Sequence, residues 1–310
     1  MGALQRLLDR RGVAILDGAL ATELERHGRD LDHPLWSARC LLEDPAAIGA
    51  VHRAYLDVGA DVITSSGYQA TVAGFQAEGL SRAEAIETYR ESIRIACRAR
   101  DAFAAERGLG RDERPLVAAS IGPWGATLCD GSEYRGRYAI DERELERFHA
   151  ERLALAAEEL RAGQADLVAC ETIPSLAEAL LLARLAQELG IDTWIAFSCR
   201  SATEIGEGQP VERAARALDV FDAVVAIGVN CTAPAHVPGV LARMRTATGK
   251  PLIAYPNSGE VYRAEEKDWL DPGVASAPLW YDAGAALLGG CCRTTPADVE
   301  RIVRWRAARG

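Results

Sequence analysis

Along the chain, short apolar runs rich in β-branched residues alternate with longer stretches in which apolar positions recur every three or four residues. Eight runs read as strands: 13–17, 61–64, 116–120, 166–170, 193–198, 223–229, 252–255 and 286–288. Helical periodicity is clearest over 82–106, 142–162 and 176–189, and Gly108, Gly163 and Gly190 stand where C-caps belong. No Ser- or Pro-rich linker divides the chain, so residues 1–310 read as one α/β domain. Eight strands with intervening helices close most naturally into a single (β/α)8 TIM-type barrel. A doubly wound open sheet is the alternative, weakened because no Gly-rich dinucleotide fingerprint follows the first strand.

A barrel places its chemistry at the C-terminal ends of the strands, and the unusual residues gather there. Asp17-Gly18-Ala19 follows the first strand, Cys170-Glu171-Thr172 the fourth, Gly228-Val229-Asn230-Cys231 the sixth and Gly289-Gly290-Cys291-Cys292 the eighth. Cys231 is far from the Cys291-Cys292 pair in sequence and no C-x-x-C motif occurs, so spacing alone does not identify a metal site. In a closed barrel, however, strands six and eight flank a single strand, and their ends can meet. Three thiolates there suit zinc, leaving its fourth position for a substrate. Neighbouring residues on a regular strand face opposite sides, so both cysteines can ligate only where the strand has ended or bulged, which Gly289 and Gly290 permit. The competing reading makes Cys231 core filler and the vicinal pair a redox-sensitive feature. Cys40, Cys97, Cys129, Cys170 and Cys199 stand singly and read as small buried apolar residues.

Composition narrows the function. Hydrophobic residues make up 49% of the 310 and charged residues 26%, enough for a sizeable core, while a net charge of −10 argues against nucleic acid. The first residues lack a secretory pattern, and no apolar stretch approaches the roughly 18 residues of a membrane span. A cytoplasmic location with reduced cysteines, and no membrane partner, is therefore expected. His27, His33, His52, His149 and His236 show no H-E-x-x-H spacing and no G-x-S-x-G elbow occurs, which disfavours a histidine-zinc hydrolase and a nucleophilic hydrolase.

Seven segments together resemble the homocysteine S-methyltransferases, especially the short type that uses S-methylmethionine. They are Asp17-Gly18-Ala19-Leu20-Ala21-Thr22-Glu23-Leu24, Tyr68-Gln69-Ala70-Thr71, Gly131-Ser132-Glu133-Tyr134-Arg135-Gly136, Ala169-Cys170-Glu171-Thr172, Gly228-Val229-Asn230-Cys231, Tyr255-Pro256-Asn257-Ser258-Gly259-Glu260 and Gly289-Gly290-Cys291-Cys292-Arg293-Thr294-Thr295-Pro296. The resemblance implies a (β/α)8 barrel with Zn2+ on Cys231, Cys291 and Cys292. It further implies that Asp17 and Glu171 hold the amino group of homocysteine, that the Gly18 to Thr22 turn takes its carboxylate, and that Asn230, Tyr255, Asn257 and Glu260 line the pocket. S-methylmethionine is the first expectation for the donor and S-adenosylmethionine the second, while selenohomocysteine or selenocysteine stays open as acceptor.

A free thiol is mostly protonated at neutral pH, and zinc coordination removes that proton, so no side chain is expected to act as a general base. Asp17 and Glu171 then read as clamps on an ammonium, with acid–base catalysis and helix capping as rivals. Two loops depart from the family pattern, 204–210 and 64–67, and both are expected to face the methyl donor. Thr295 and Pro296 are expected to cap and start the last helix. A non-enzymatic zinc or redox sensor built on the same three cysteines is the rival class of function.

Overall fold

The computed structural model describes residues 2–259, 261–263, 268–270 and 276–309. Its framework is a ring of eight parallel strands: β1 (Ala14–Ile15), β2 (Val62–Thr64), β3 (Leu116–Ile121), β4 (Leu167–Ile173), β5 (Thr193–Phe197), β6 (Val224–Asn230), β7 (Leu252–Tyr255) and β8 (Ala285–Leu288). Neighbours in the ring follow chain order from β2 to β8, and β8 pairs with β1. The last seam, between β1 and β2, is closed by the Leu16/Val62 bridge and by backbone bonds from Asp61 to Ile15 (2.7 Å) and Asp17 to Val62 (3.0 Å). Closure rules out the doubly wound sheet and gives the (β/α)8 barrel. A two-stranded antiparallel ribbon, Val261–Arg263 with Asp268–Leu270, follows β7.

The helices expected at 82–106 and 176–189 span Arg82–Glu106 and Leu176–Leu189, and the third runs Glu142–Arg161. Gly190 caps its helix in the left-handed region at φ 66°, as a residue without Cβ can. Among the described residues no helix is long and apolar enough to cross a membrane.

Side chains alternate between two buried layers, as strand geometry requires. Residues such as Val117, Val168, Ile195 and Ile227 face the helices, whereas Ala118, Ala169, Trp194, Ala226, Ile253 and Leu287 fill the barrel interior. Small residues leave room there for Trp194 and Tyr255, whose rings meet edge to face at 6.3 Å. The first helix, Ala3–Arg11, packs Leu4, Leu7 and Leu8 into this interior cluster. Each buried leucine contributes about 1.5–3 kcal/mol, and together they plug the N-terminal end of the barrel. What remains open is the other end, where inward positions turn polar: Thr64, Ser120, Glu171, Asn230 and Tyr255.

Candidate functional site

A cavity of about 680 Å³ occupies that open end. Asp17, Asp32, Glu133 and Glu171 line it together with Cys231, Cys291 and Cys292, and among the described residues no Lys or Arg does. A site so built favours cations.

Its carboxyl end is held by residues of neighbouring strands. Asp17 accepts from the Thr64 backbone N–H (2.7 Å) and hydroxyl (3.1 Å). Glu171 receives a short hydrogen bond from the Ser120 hydroxyl and another from Tyr255, whose own oxygen accepts from Trp194 Nε1 at 3.0 Å. Burial pushes the Asp17 carboxyl up to about 8, against the pull of the Thr64 N–H and with the Glu171 charge adding to it. Burial likewise raises Glu171 to about 7, opposed by the Ser120 and Tyr255 hydrogen bonds. Neither carboxyl has a basic side chain as partner among the described residues. Two buried acids with no counter-ion await a cation.

At the thiol end the backbone is irregular. Cys231 follows β6 at φ 46°, and its sulfur lies 3.4 Å from that of Cys292; all three sulfurs fall within 4.8 Å of one another. The exit of β7 stitches the two cysteine-bearing exits together. Cys231 N donates to Tyr255 O (3.3 Å), Cys291 N to Pro256 O (2.7 Å), Asn257 N to Thr232 O (3.1 Å) and Ser258 N to Cys292 O (3.0 Å). Gly289 and Gly290 are needed for space: a Cβ on Gly289 would lie 2.6 Å from the Leu16 Cβ, and one on Gly290 2.3 Å from the Thr294 hydroxyl. Hydrogen bonds from the other two thiols hold Cys292 well below the ordinary thiol value, while Cys291 is pushed well above it, first by its bonds to Cys231 and Cys292 and then by burial. The three thiols titrate as one cluster, so their protons belong to the group of sulfurs and not to any one of them.

Of the residues expected from sequence, Asp17, Gly18, Thr22, Glu171, Asn230 and Tyr255 line the cavity with the three cysteines. Asn230 does so with its amide already engaged: Oδ1 accepts from Thr172 N (2.6 Å) and Nδ2 donates to the Thr172 hydroxyl (2.8 Å). That brace holds Thr172 at φ 60°, a conformation that costs a β-branched residue roughly 1–3 kcal/mol. Asn257 does not line the cavity, because its segment serves as the backbone stitch. Glu260 lies outside the described residues. Of the two divergent loops, only the β2 exit reaches the cavity, through Thr64, Ser65 and Ser66, whereas 204–210 lies behind the turn that carries Tyr134.

Other contributors were not singled out from sequence. Arg152, fully buried on the Glu142–Arg161 helix, donates to the carbonyls of Gly67 (3.0 Å), Tyr68 (2.8 Å) and Gly122 (2.8 Å), fixing the loops after β2 and β3. An arginine on an amphipathic helix ordinarily reads as solvated, so its pattern carries no signal. Tyr134 places its hydroxyl 3.2 Å from Cys231 Sγ, and Trp36 and Tyr68 form an aromatic wall with centroids 6.1 Å apart. The Gly131–Gly136 motif pointed to this turn without pointing to the phenol. Thr295 caps the last helix, Pro296–Ala307, sharing Asp298 Oδ2 between its N–H and hydroxyl at 2.8 Å each.

The family profile described as homocysteine S-methyltransferase matches residues 14–305. The chain is 45% identical to the homocysteine S-methyltransferase YbgG of Bacillus subtilis (strain 168), over 98% of each chain. It is 42% identical to the selenocysteine Se-methyltransferase of Brassica oleracea var. italica, covering 96% of this chain and 89% of that one. The crystal structure of the metallated form of the homocysteine methyltransferase MmuM from Escherichia coli superimposes with a TM-score of 0.87 at 39% identity, covering 100% of both chains.

Proposed function

We propose, from the premise that the chain belongs to the homocysteine S-methyltransferase family, that it moves a methyl group from a sulfonium donor to homocysteine. The chain is a methyltransferase; the acceptor, the donor and zinc on Cys231, Cys291 and Cys292 are our reading. S-methylmethionine is the preferred donor and S-adenosylmethionine the second. Residues 1–310 act as one domain, in a reducing cytoplasm that keeps thiols free. The carrying observation is that one cavity joins three convergent thiols to two buried carboxyls without basic partners. A ligand with a sulfur at one end and an ammonium at the other answers both needs.

The donor set fits zinc. Sulfurs about 2.3 Å from a tetrahedral ion stand roughly 3.8 Å apart, within the spread of these three. Zinc held there supplies Lewis acidity that makes an incoming thiol a thiolate at neutral pH.

The remaining work belongs to the chain. Asp17 and Glu171 receive the ammonium, each charge-assisted bond contributing about 1.5–3 kcal/mol. Backbone N–H groups of the Gly18 to Thr22 turn take the α-carboxylate, since no cationic side chain lines the cavity among the described residues. On the donor side, the faces of Trp36 and Tyr68 and the buried Glu133 Oε2, without a hydrogen-bond partner among the described residues, suit a sulfonium. The sulfur of homocysteine forms its bond to the methyl carbon as the donor's S–C bond breaks, and the electron pair leaves on the donor as a neutral thioether. No proton moves in that step, which leaves Asp17 and Glu171 as clamps. Holding the two reactants in line at about 3–3.5 Å is the main catalytic contribution.

The test is methionine formation from homocysteine by zinc-loaded protein, with S-methylmethionine, S-adenosylmethionine and betaine offered separately and Cys291→Ala as control. Turnover with a sulfonium, lost in the variant, is expected. Turnover with betaine alone would refute the donor assignment, and failure with every donor would refute the acceptor. The similarity to a selenocysteine methyltransferase adds a selenocysteine arm to the same assay.

A further inference from the structure

The geometry points to Tyr134 as a positioning residue whose phenol donates a hydrogen bond to the Cys231 sulfur, fixing that ligand's place and moderating its charge. The inference rests on the reading of the three cysteines as metal ligands.

The cysteines are anchored differently. Cys291 and Cys292 are tied mainly through their backbone, Cys291 N to Pro256 O (2.7 Å), the Thr294 hydroxyl to Cys291 O (2.6 Å) and Ser258 N to Cys292 O (3.0 Å), with Asn230 Nδ2 3.9 Å from the Cys291 sulfur and the Tyr134 phenol also bonded to Cys292. Cys231, at φ 46°, has a longer backbone tie of 3.3 Å to Tyr255 O, and its sulfur meets a protein oxygen in the Tyr134 hydroxyl at 3.2 Å. A metal-bound thiolate carries no proton, so in that contact the phenol is the donor. Hydrogen bonds to ligating atoms orient them and tune the charge they offer.

The phenol is also held in place by its surroundings. Its turn opens at Gly131 (φ 79°), and Tyr134 N returns to Gly131 O at 3.1 Å. Ser132 N donates to Asp130 Oδ1 (2.9 Å), and the Ser198 hydroxyl from the β5 exit donates to Glu133 O (2.9 Å). Behind the turn lies the 204–210 loop. A Cβ on Gly206 would come within 2.7 Å of Tyr134 O and 2.9 Å of the Pro174 Cβ, so glycine is what lets this loop back the turn so closely. Glu207 completes the buttress, its N–H on Pro174 O (2.9 Å) and its Oε1 on Arg137 N (3.0 Å). The divergent loop thus acts on the cysteines through Tyr134.

Tyr134→Phe keeps the ring and removes the donor. Apo wild type and variant are titrated with Co2+ to read the sulfur-to-cobalt charge-transfer band, and zinc affinity is measured by competition with a chromophoric chelator. The variant is expected to take up one tetrahedral Co2+, show the band at lower energy, and bind zinc about tenfold more weakly. An unchanged band and affinity in a variant that binds one ion would overturn the role of the phenol. Failure of the wild type to take up metal would instead overturn the metal reading on which it rests.

Discussion

The two ends of the cavity hold their functional groups by opposite means. Asp17, just past β1, and Glu171, on β4 beside Thr172 at φ 60°, are fixed by partners on neighbouring strands, Thr64 and Ser120, with Tyr255 also bonded to Glu171. The cysteines lie on backbone that has left the ladder, with Cys231 in the left-handed region and the vicinal pair after two tightly packed glycines. Geometry is therefore built in at the carboxyl end, and charge is what it lacks. At the thiol end charge is abundant, and geometry depends on stitches, a phenol and the bound ion. Recognition and activation are thus assigned to different parts of the fold and can be damaged separately.

The largest expected effect comes from removing a thiol. Cys291→Ala should abolish stoichiometric metal binding and lower kcat/KM by more than about a hundredfold, since loss of an outer-shell partner alone typically costs roughly 10–100-fold. Metal content by mass spectrometry and the methyl-transfer rate check this together. Next is Asp17→Asn, which should raise the KM for homocysteine by about 10–100-fold, the equivalent of one charge-assisted hydrogen bond, with a much smaller change in kcat. A collapse of kcat at saturating substrate would make Asp17 a catalytic base and erase the division between the two ends.

The same carboxyl gives a pH signature. Its folded value, about 8, lies above the ordinary 3.8, so its contribution to stability is full below the ordinary value and is lost as pH rises through the folded one. Denaturation of the apo protein should show the wild type losing stability relative to Asp17→Asn as pH rises from about 4 to 8, with no further loss from this group above that. As pH rises through about 8 the KM for homocysteine should fall as Asp17 ionises, and the Asn variant should flatten the profile. The smallest effect is expected of Asn230→Ala. Loss of its bonds to Thr172 should reduce stability by about 1–3 kcal/mol in chemical denaturation while leaving one metal bound.

Much of the barrel was legible because each strand appears as a short apolar run, most of them with β-branched residues; β7 falls at 252–255 as expected, and the others shift by a few residues at most. The first run shrank from 13–17 to Ala14–Ile15 because Leu16 and Asp17 turn toward β2 and close the ring. The cysteines were legible from their places at strand ends, where topology substitutes for spacing. What escaped was tertiary. Tyr134 is far from Cys231 in sequence, Arg152 sits on a helix whose pattern suggests a solvated charge, and Ser120 and Thr64 are ordinary strand residues until their neighbours are known. The 204–210 loop was expected at the donor and lies behind the Tyr134 turn, because its role depends on the fit of Gly206 against a distant carbonyl.

The most direct test of this division is X-ray absorption at the zinc edge of the loaded protein, recorded before and after addition of homocysteine. Three sulfur ligands rising to four on addition is the predicted result. An unchanged sulfur count with homocysteine demonstrably bound would contradict the account, because the substrate's sulfur would then be activated somewhere other than the cysteine cluster.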